Sequence, residues 1–412
     1  HPSATNTIWN LLKSELFVII SSNITEQHNV LGVPIKQAIS KGAKAIIIDP
    51  RETDLSRFSD NWIKPNINTE HILIGGIIRS IIDQSLEDHD FSTKSCENFD
   101  EFRNSIWDFD LSRVSKETGI AQDEIQNLAK LIAESKSTSF LYSLDTISSE
   151  LKSSASTSII NLALLTGNTD QPGAGIYPLF SGPNEQGARD IGCTPNFNPG
   201  YNHNPTSGIG LKQLNEYVNQ GDIKALHILG NQASIGSESG KTIKSIVDKV
   251  EFLVVHESFE NEYTDSADVV FPSSLFAEKD GTFTNLERRI HKVNPALGSK
   301  FDEDEDWRIL CQIALRMGSN AFNYNTSHEV FTELSTFIQT TDEISFDKIS
   351  ESGQIYGVER NYKFKPLSMT LSKGSITTDT FPMILTRGRI LEESTVDAKI
   401  ELVNDKNSIT RN

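Results

Sequence analysis

One strand–helix–strand segment near the start of the chain constrains the fold most. ELFVIIS (Glu15–Ser21) is a short run rich in apolar and β-branched residues and predicts a buried strand. VPIKQAISK (Val33–Lys41) has apolar residues at helical spacing, with Pro34 suited to a first turn and Gly42 suited to end the helix. Ile46–Ile48 then forms a second buried strand. This order predicts a parallel pair of strands joined by a helical crossover.

The same order of elements recurs between residues 223 and 272. IKALHILG (Ile223–Gly230) predicts a strand, KTIKSIVDKV an amphipathic helix, EFLVVHES a second strand and ADVVFP (Ala267–Pro272) a third. Helical periodicity marks several stretches between the two copies, and the chain beyond residue 323 has the features of an irregular connector. Two copies of one architecture predict an α/β fold built on parallel sheets.

Polar side chains follow the predicted strands in both copies. In an open parallel sheet, ligands bind beyond the carboxyl ends of the strands. Amide and carboxylate groups can recognise the edge of a purine and the hydroxyls of a ribose, and helix N-termini can hold pyrophosphate. For any single residue, the general polarity of loops is a sufficient explanation. For the two matching sets together, a nucleotide site and ordinary loop polarity explain the pattern equally well. These residues are Asn23, Glu26, His28, Asp49 and Arg51 in the first copy, and Gly230, Asn231, His256 and Glu257 in the second.

Common nucleotide-binding fingerprints do not accompany these residues. No GxGxxG follows a predicted strand, and the chain has no P-loop lysine motif. An ordinary NAD-binding domain is therefore not predicted.

Charge and composition exclude several classes of partner. The chain has 56 acidic and 38 basic residues, and a net charge of −18 disfavours a nucleic-acid partner. No apolar run approaches the roughly 20 residues of a membrane span, so we expect no direct span. The three cysteines lack iron–sulfur spacing, and no signal peptide is visible. A cytoplasmic location is expected, with attachment to a membrane complex through partners as an alternative.

The run AEKDGTFTNLERR (Ala277–Arg289) is the most distinctive in the sequence. Asp280 and Gly281 predict a turn between ADVVFPSSLF and TFTN. Two interpretations remain open at this point. The run is either a hairpin with a charged edge or a loop that places threonine, asparagine and arginine donors over an anionic ligand.

Several motifs together resemble the molybdopterin oxidoreductases, and in particular the α-subunit of formate dehydrogenases. The resemblance is continuous and in order from about residue 5 to residue 320, and FPMILTRGRI resembles the start of the family's C-terminal domain. The motifs that carry it are NITEQHNVLGVPIKQAI, GAKAIIIDPRETDL, LLTGNTDQPGAGIYPL, NEQGARDIG and AEKDGTFTNLERRIHKVNPAL.

The resemblance implies Rossmann-like parallel sheets in two cofactor domains, plus the start of a C-terminal β-barrel domain. The cofactor implied is bis-molybdopterin guanine dinucleotide carrying Mo or W. The implied domains are residues 1–181, an α/β molybdopterin guanine dinucleotide domain; 182–345, a second, partial α/β molybdopterin domain; 346–380, a connector; and 381–412, the start of a truncated C-terminal dinucleotide-binding domain.

The resemblance also assigns cofactor-binding residues to the loops of the two sheets. It implies no catalytic residue and no metal ligand within this chain. The implied cofactor-binding residues are Asn23, Glu26, His28, Asp49, Arg51 and Glu70 for the first nucleotide, Gly182, Asn184 and Gln186 in the segment between the domains, and Gly230, Asn231, His256, Glu257, Asp280, Gly281 and Thr282.

Parts of the family pattern are not found in these residues. The clustered cysteines of the N-terminal [4Fe–4S] domain are expected only before residue 1, as is the segment that ligates the metal. We therefore expect that these 412 residues alone are not a competent enzyme.

The pattern also departs from the family within the matched region. Formate dehydrogenases typically have an arginine, thought to orient formate, where this chain has Phe180, and a glycine-rich run near the pterin aligns with Ser143–Ser148 and includes Leu144. A carboxylate substrate needs a bidentate guanidinium, which phenylalanine cannot supply. Phe180 therefore argues against formate as the substrate.

Three functional hypotheses follow. The first is a formate-dehydrogenase-like subunit that oxidises a small molecule by two electrons at Mo or W and passes them through an iron–sulfur cluster to a partner subunit. That partner would be an iron–sulfur or NADH/flavin-binding protein. The second is the large molybdopterin-like subunit of respiratory complex I (NADH–quinone oxidoreductase), with an electron-transfer or structural role, which the altered loops favour. The third, outside the family, is a non-catalytic nucleotide-binding α/β protein.

Overall fold

The structure is a computed structural model of the 412-residue chain. It describes residues 3–180, 182–195, 197–203, 208–230, 238–298, 304–338 and 340–371. By their internal contacts these residues divide into two units. Unit 1 comprises the chain up to Gly182, the short stretch Leu286–Arg288 and the described chain from Glu359 on, whereas unit 2 comprises Pro183–Asn285 and Arg289–Val358.

Unit 1 contains a five-stranded parallel sheet and eight α-helices among its described residues. The sheet order is β3-β2-β1-β5-β6, and β4 pairs in parallel with β15 in a separate two-stranded sheet. The elements are β1 Leu16–Ile20, α1 Ile24–Gln27, α2 Asn29–Ser40, β2 Lys44–Ile48, β3 Asn61–Ile63, α3 Glu70–Asp83, α4 His89–Lys94, β4 Cys96–Glu97, α5 Phe99–Ser105, α6 Leu111–Thr118, α7 Gln122–Glu134, β5 Thr138–Tyr142, α8 Lys152–Leu165, β6 Gly175–Pro178 and β15 Tyr362–Lys363, with 3-10 helices at Ile8–Lys13, Asp54–Phe58 and Ile106–Asp108.

Unit 2 contains a three-stranded parallel sheet of order β11-β10-β9 and a three-stranded antiparallel sheet of order β12-β13-β14. The elements are α9 Glu185–Asp190, β7 Phe197–Asn198, β8 Asn202–His203, α10 Leu211–Gln220, β9 Ala225–Leu229, α11 Glu238–Val247, β10 Phe252–Glu257, α12 Glu262–Ser266, β11 Val269–Pro272, β12 Gly281–Thr284, β13 Arg289–Val293, α13 Asp306–Arg316, α14 Ser327–Ser335 and β14 Gln354–Ile355, with 3-10 helices at Pro199–Tyr201, Phe276–Glu278 and Phe346–Lys348.

The central strand of unit 1 is buried on both faces. All five residues of β1 are buried, and successive side chains enter two different apolar cores. Val18 and Ile20 pack with residues of α3, α7 and α8 on one face, whereas Phe17 and Ile19 pack with residues of α2 on the other. Burial of each such side chain stabilises the fold by about 1.5–3 kcal/mol. Two-sided burial is the reason that the strand has no polar residue.

Helix α3 lies close to its neighbours because two glycines sit in its middle. A Cβ atom on Gly75 would come within 2.2 Å of the Phe109 ring, and one on Gly76 within 2.6 Å of Val114. Phe109 and Val114 are buried in the same core as α3. The glycine pair therefore permits a helix approach that larger residues would prevent.

The paired strand–helix–strand prediction is confirmed in both units. β1 pairs in parallel with β2, with Val18 opposite Ile46, and β10 pairs in parallel with both β9 and β11. Gly42 follows the last turn of α2 with a φ of 106°, which suits glycine at that position. The α/β class with parallel sheets is likewise confirmed.

Two local predictions were wrong. Pro34 lies inside α2 rather than in its first turn, because the helix begins earlier, at Asn29. Asp280 and Gly281 do not form the hairpin turn. Gly281 instead begins β12, and the hairpin turn lies after this strand, between Thr284 and Arg289. The turn is closed by two hydrogen bonds: the Arg289 N–H donates to the Asn285 side-chain oxygen, and the Asn285 N–H donates to the Arg289 carbonyl.

The connector predicted beyond residue 323 contains one helix, α14. Its start is fixed by Thr326, whose hydroxyl accepts a hydrogen bond from the Glu329 N–H, and its buried Phe331 packs in an apolar cluster with Ile290 and Tyr356. The predicted start of a β-barrel at 381–412 lies outside the described residues. The predicted cofactor-domain ranges stay predictions.

Within the described ranges, every helix is too short or too polar to cross a bilayer.

We predict that Gly173→Ala destabilises unit 1 much more than Gly119→Ala. Both glycines have left-handed φ angles, 82° and 76°, so each alanine costs about 1–2 kcal/mol in backbone strain. A Cβ on Gly173 would also come within 2.4 Å of the Lys13 carbonyl oxygen, whereas the nearest atom to one on Gly119 is 3.4 Å away. Urea unfolding should show about 1–3 kcal/mol more destabilisation for Gly173→Ala. Equal losses would contradict the steric argument.

Candidate functional site

The carboxyl ends of β1, β2 and β5 lie side by side in unit 1. The in-register pairs Ile20–Ile48 and Ile20–Tyr142 bring the loops that follow these strands to one edge of the sheet. Most predicted residues of the first set come from these loops, and Glu70 comes from the start of α3. The sheet therefore gathers residues that are far apart in sequence.

Like Asp49, Glu70 is a charged side chain buried at this edge. It is fully buried, and its Oε1 accepts hydrogen bonds from the Ser21 and Thr146 hydroxyls, both at 3.1 Å. Its Oε2 is also buried and has no hydrogen-bond partner among the residues that the structure describes. An unpaired buried acceptor typically costs about 1–3 kcal/mol. The site thus holds one acceptor that a ligand donor would satisfy.

The environment of Glu70 favours its neutral form. Burial raises the pKa of this carboxyl because it removes the charged form from water. The hydrogen bonds that Glu70 receives oppose the shift, and the nearby Asp49 charge adds to it. The net result is a pKa above the usual glutamate range.

Asp49 and Arg51 form a close ion pair at the end of β2. The Arg51 Nε and Nη2 atoms each lie 3.1 Å from a carboxylate oxygen of Asp49, and the Arg51 backbone N–H donates to the same carboxylate at 2.8 Å. The Trp62 indole N–H donates to the Asp49 carbonyl at 3.0 Å. Asp49 is fully buried and Arg51 is half-buried, so the pair keeps its guanidinium fork partly accessible.

Further carboxylates surround Arg51. Burial lowers the pKa of Arg51, but the hydrogen bond and charge of Asp49, with the charges of Asp145 and Glu26, outweigh it and raise the pKa. Glu26 is exposed and accepts a hydrogen bond from the side-chain amide of Asn23, the residue that directly precedes the short helix α1. Arg51 is therefore charged and fixed from several sides.

Two strand-end loops have non-glycine residues in left-handed conformations. Ser21, after β1, has a φ of 46°, and Leu144, after β5, has a φ of 59°. The Asp145 N–H donates to the Ser21 carbonyl at 3.1 Å, and the Ser143 hydroxyl donates to the same oxygen at 2.9 Å. Such conformations cost about 1–2 kcal/mol and cluster at ligand sites.

Sequence reasoning missed three residues of this edge. Ser21 and Thr146 hold Glu70, and Asp145 contributes charge beside Arg51. Ser21 is the last residue of the first predicted strand, and Asp145 and Thr146 lie in Ser143–Ser148, the run that the family resemblance aligns with a segment near the pterin. His28, a predicted residue, is half-buried at the junction of α1 and α2.

The second predicted set lies at the carboxyl edge of the β9–β11 sheet in unit 2. Gly230 follows β9 with a φ of 56°, and its N–H donates to the His256 carbonyl at 3.0 Å. His256 is fully buried and Glu257 is half-buried. Asn231 lies outside the described residues.

His256 is held by residues that the sequence analysis did not single out. Its Nδ1 lies 3.0 Å from Oδ1 of Asp306, the first residue of α13. The Ser273 hydroxyl also donates to Asp306, and the Lys279 ammonium lies 2.6 Å from its Oδ2. No spacing in the sequence links these residues, because they meet only in the folded sheet.

Asn184 and Gln186 have partners within unit 2. Asn184 Oδ1 accepts from the Thr284 N–H at 2.8 Å, and the Gln186 side-chain amide donates to Asp190 Oδ1 at 2.7 Å. Gln186 is almost completely buried, whereas Gly182 is exposed. The amides of Asn184 and Gln186 thus stabilise the loop and helix α9 that contain them.

Asp280, Gly281 and Thr282 lie at the start of β12. Gly281 pairs with Val293 and Thr282 with Lys292 in the antiparallel hairpin. Asp280 is exposed and directly follows Lys279. Within the described chain, no group of three or more histidine, cysteine, aspartate or glutamate side chains is arranged to hold a metal ion.

Comparison with known families identifies the chain. Its residues 1–316 match the family described as molybdopterin oxidoreductase. The chain belongs to the molybdopterin oxidoreductase family. The predicted resemblance is confirmed, and the hypothesis of a nucleotide-binding protein outside the family is excluded.

Curated relatives of this family member are formate dehydrogenase subunits. It is 31% identical over 366 residues to the F420-dependent formate dehydrogenase subunit alpha of Methanocaldococcus jannaschii, which covers 85% of this chain and 54% of that protein. It is 29% identical over 425 residues to the F420-dependent formate dehydrogenase 2 subunit alpha of Methanococcus maripaludis, which covers 94% of this chain and 62% of that protein. The chain spans between 36% and 62% of the length of such relatives.

A solved structure supports the fold assignment. Acetylene hydratase from Pelobacter acetylenicus superposes with a TM-score of 0.67 at 17% sequence identity, over 86% of this chain and 55% of that protein. At this identity the likeness concerns the fold alone.

We predict that Glu70→Gln makes the chain more stable at neutral pH and has little effect near pH 4. A carboxyl whose pKa is raised by folding binds more protons in the folded state, so the wild type loses stability as pH rises from the ordinary glutamate pKa through the raised one. Glutamine does not titrate. Thermal unfolding midpoints measured from pH 4 to pH 8 should diverge with increasing pH.

The matched control is Glu124→Gln, at an exposed position of α7. Its midpoint should follow the wild type across the whole pH range. A Glu70→Gln midpoint that runs parallel to the wild type would contradict the raised pKa.

Proposed function

We propose that the chain is part of a formate-dehydrogenase-like catalytic subunit that holds a bis-molybdopterin guanine dinucleotide. When bound, the Mo or W centre of that cofactor would supply the two-electron oxidation of a small molecule. Family membership and the names of the relatives support this proposal. The observation that carries it is the buried, unpaired Oε2 of Glu70 at the carboxyl edge of the unit 1 sheet.

The donors and acceptors at this edge fit a guanine nucleotide. A guanine base presents N–H donors that a carboxylate accepts, and the free Oε2 of Glu70 has that capacity in its ionised form, which such donors would favour. Asp49 and Glu26 add acceptors for ribose hydroxyls. Arg51 adds a positive charge that can bind a phosphate. We assign Glu70 to the base and Arg51 to the phosphate side of one nucleotide.

The edge of the unit 2 sheet is assigned to the second nucleotide. Gly230, with its left-handed φ, allows close approach of backbone to a ligand, and His256 and Glu257 supply polar groups beside it. The fit here rests on the buried Nε2 of His256, which has no partner in the described part of the chain. Among its described residues, each unit by itself thus offers an unsatisfied buried group of a charged or titratable side chain at a strand edge.

Electrons from the substrate would leave through an iron–sulfur cluster, which the family resemblance implies. The acceptor would be an electron-transfer subunit that binds an iron–sulfur cluster or NADH and a flavin. These partners are part of the proposal and follow from the family resemblance alone.

We do not assign formate as the substrate. Phe180 occupies the position where the family resemblance places an arginine, and its side chain has no charge to bind a carboxylate. The same departure, with Leu144 in its left-handed conformation, favours a second candidate function. In that case the chain serves in the large molybdopterin-like subunit of respiratory complex I and conducts electrons or supports the assembly.

Cofactor content tests the proposal. In the whole protein from a cofactor-replete host, we expect Mo or W together with guanine nucleotide released by acid. Glu70→Ala should weaken cofactor binding about tenfold or more, because a hydrogen bond to a charged or buried carboxyl is worth about 1.5–3 kcal/mol. Metal and nucleotide are measured per mole of folded protein.

Glu124→Ala is the control, since it removes an exposed glutamate from the same unit. Unchanged content in Glu70→Ala would exclude Glu70 from the site. Guanine nucleotide without Mo or W in the wild type would favour the complex I alternative.

Substrate recognition is tested at Phe180. We expect Phe180→Arg to raise formate oxidation by about tenfold or more, because a guanidinium can bind both carboxylate oxygens. Phe180→Lys should gain less, since an ammonium lacks the planar fork. Dye-linked formate oxidation by the metal-replete whole protein is the measurement. No gain in either variant at full metal content would show that this position does not decide formate use.

A further inference from the structure

Asp306 sits at the centre of a hydrogen-bonded group in unit 2. Its carboxylate receives the Lys279 ammonium at 2.6 Å, the Ser273 hydroxyl and the His256 ring nitrogen Nδ1 at 3.0 Å. Asp306 begins α13, and Ser273 directly follows β11. Residues from three parts of the chain therefore converge on one carboxylate.

Asp306 can only accept hydrogen bonds in this arrangement. Burial alone would raise the pKa of Asp306, but the hydrogen bonds from Lys279, Ser273 and His256 outweigh it and lower the pKa. An ionised carboxylate has no proton to donate. The hydrogen bond between Asp306 and His256 therefore needs its proton on Nδ1 of the ring.

The other ring nitrogen of His256 is left bare by this bond. In a neutral imidazole with the proton on Nδ1, Nε2 carries a lone pair and is an acceptor. His256 is fully buried, and its Nε2 has no partner in the described chain. Its ring neighbours are His227, with centroids 4.8 Å apart, and Phe271, at 5.0 Å, and neither makes a hydrogen bond to it.

His256 lies at the edge of the sheet where a ligand can reach its Nε2 acceptor. His256 is the penultimate residue of β10, the middle strand of its sheet, and Gly230 and Glu257 flank it at the carboxyl edge. Ligands of open parallel sheets bind at this edge. A donor supplied by a ligand would remove the cost of about 1–3 kcal/mol that an unpaired buried acceptor carries.

We propose that Asp306 is a positioning residue that holds the proton of His256 on Nδ1, so that Nε2 accepts a hydrogen bond from an N–H or O–H group of a bound nucleotide. The ligand half of this inference rests on the proposed function, in which this edge binds the second nucleotide. Lys279 and Ser273 affect His256 indirectly, because their hydrogen bonds keep Asp306 ionised and oriented. Asp306 itself does not touch the ligand.

The protonation state of the ring is read directly by solid-state ¹⁵N NMR of the histidine-labelled whole protein at pH 8. Subtraction of the spectrum of His256→Gln isolates the His256 signals from those of the other histidines. We expect a neutral ring protonated on Nδ1, and loss of that form in Asp306→Ala. A ring protonated on Nε2, or on both nitrogens, in the wild type would overturn the proposal.

Guanine-nucleotide content separates positioning from general support. Asp306→Ala should weaken nucleotide retention about tenfold, the equivalent of one lost hydrogen bond. In a His256→Gln background the same substitution should have no further effect, since a glutamine amide presents its oxygen without a proton to be placed. A merely structural role of Asp306 would cost the same in both backgrounds, and that result would overturn the proposal.

Asp304→Asn is the control, because Asp304 is exposed, lies two residues away and pairs with Gln312. It should leave both the NMR signal and the nucleotide content unchanged, and a loss equal to that of Asp306→Ala would contradict a specific role. A wild type without guanine nucleotide would defeat the proposed function. The NMR result would then still decide whether Asp306 places the proton.

Discussion

The parallel pairing of β1 with β2 on one side and β5 on the other is the constraint on which unit 1 depends. Because the three strands run in register, Ile20, Ile48 and Tyr142 end at the same edge of the sheet. Both faces are covered by helices, so β1 is apolar throughout, and the ionised side chains of this region lie beyond the strand ends. The same requirement that makes the strands apolar therefore concentrates Glu70, Asp49 and Arg51 at one place.

That concentration is energetically unfavourable unless the groups satisfy one another or a ligand does. The Asp49–Arg51 pair satisfies itself through three hydrogen bonds, whereas Glu70 is only half satisfied by Ser21 and Thr146. The Asp306 group in unit 2 shows the same division, since Asp306 has three donors and the Nε2 of His256 has no partner within the described residues. We take the unpaired Oε2 of Glu70 and the unpaired Nε2 of His256 to mark where a ligand supplies the missing hydrogen bond.

The sequence predicted the strands and the residues at their ends because both follow from local pattern. Each predicted strand is an apolar run followed by polar residues, and the family match supports their order; these strands are β1, β2, β9, β10 and β11. Local pattern misplaced the turn near Gly281, because a glycine with a positive φ occurs at the start of β12 as readily as in a turn. It also missed α14, whose short amphipathic face is stabilised by packing around Phe331 rather than by its own periodicity.

The sequence by itself determined the α/β class, the family and the polar composition of the strand ends. Hydrophobic periodicity and motif order are properties of residues that are neighbours in sequence, so they can be recognised from the sequence alone. Only the tertiary structure decided which polar atoms have partners. Ser21 and Thr146 reach Glu70 across 49 and 76 residues of sequence, and Asp306 reaches His256 across 50. Hydrogen bonds of this kind depend on ångström distances between side chains brought together by sheet register, and no local pattern encodes those distances.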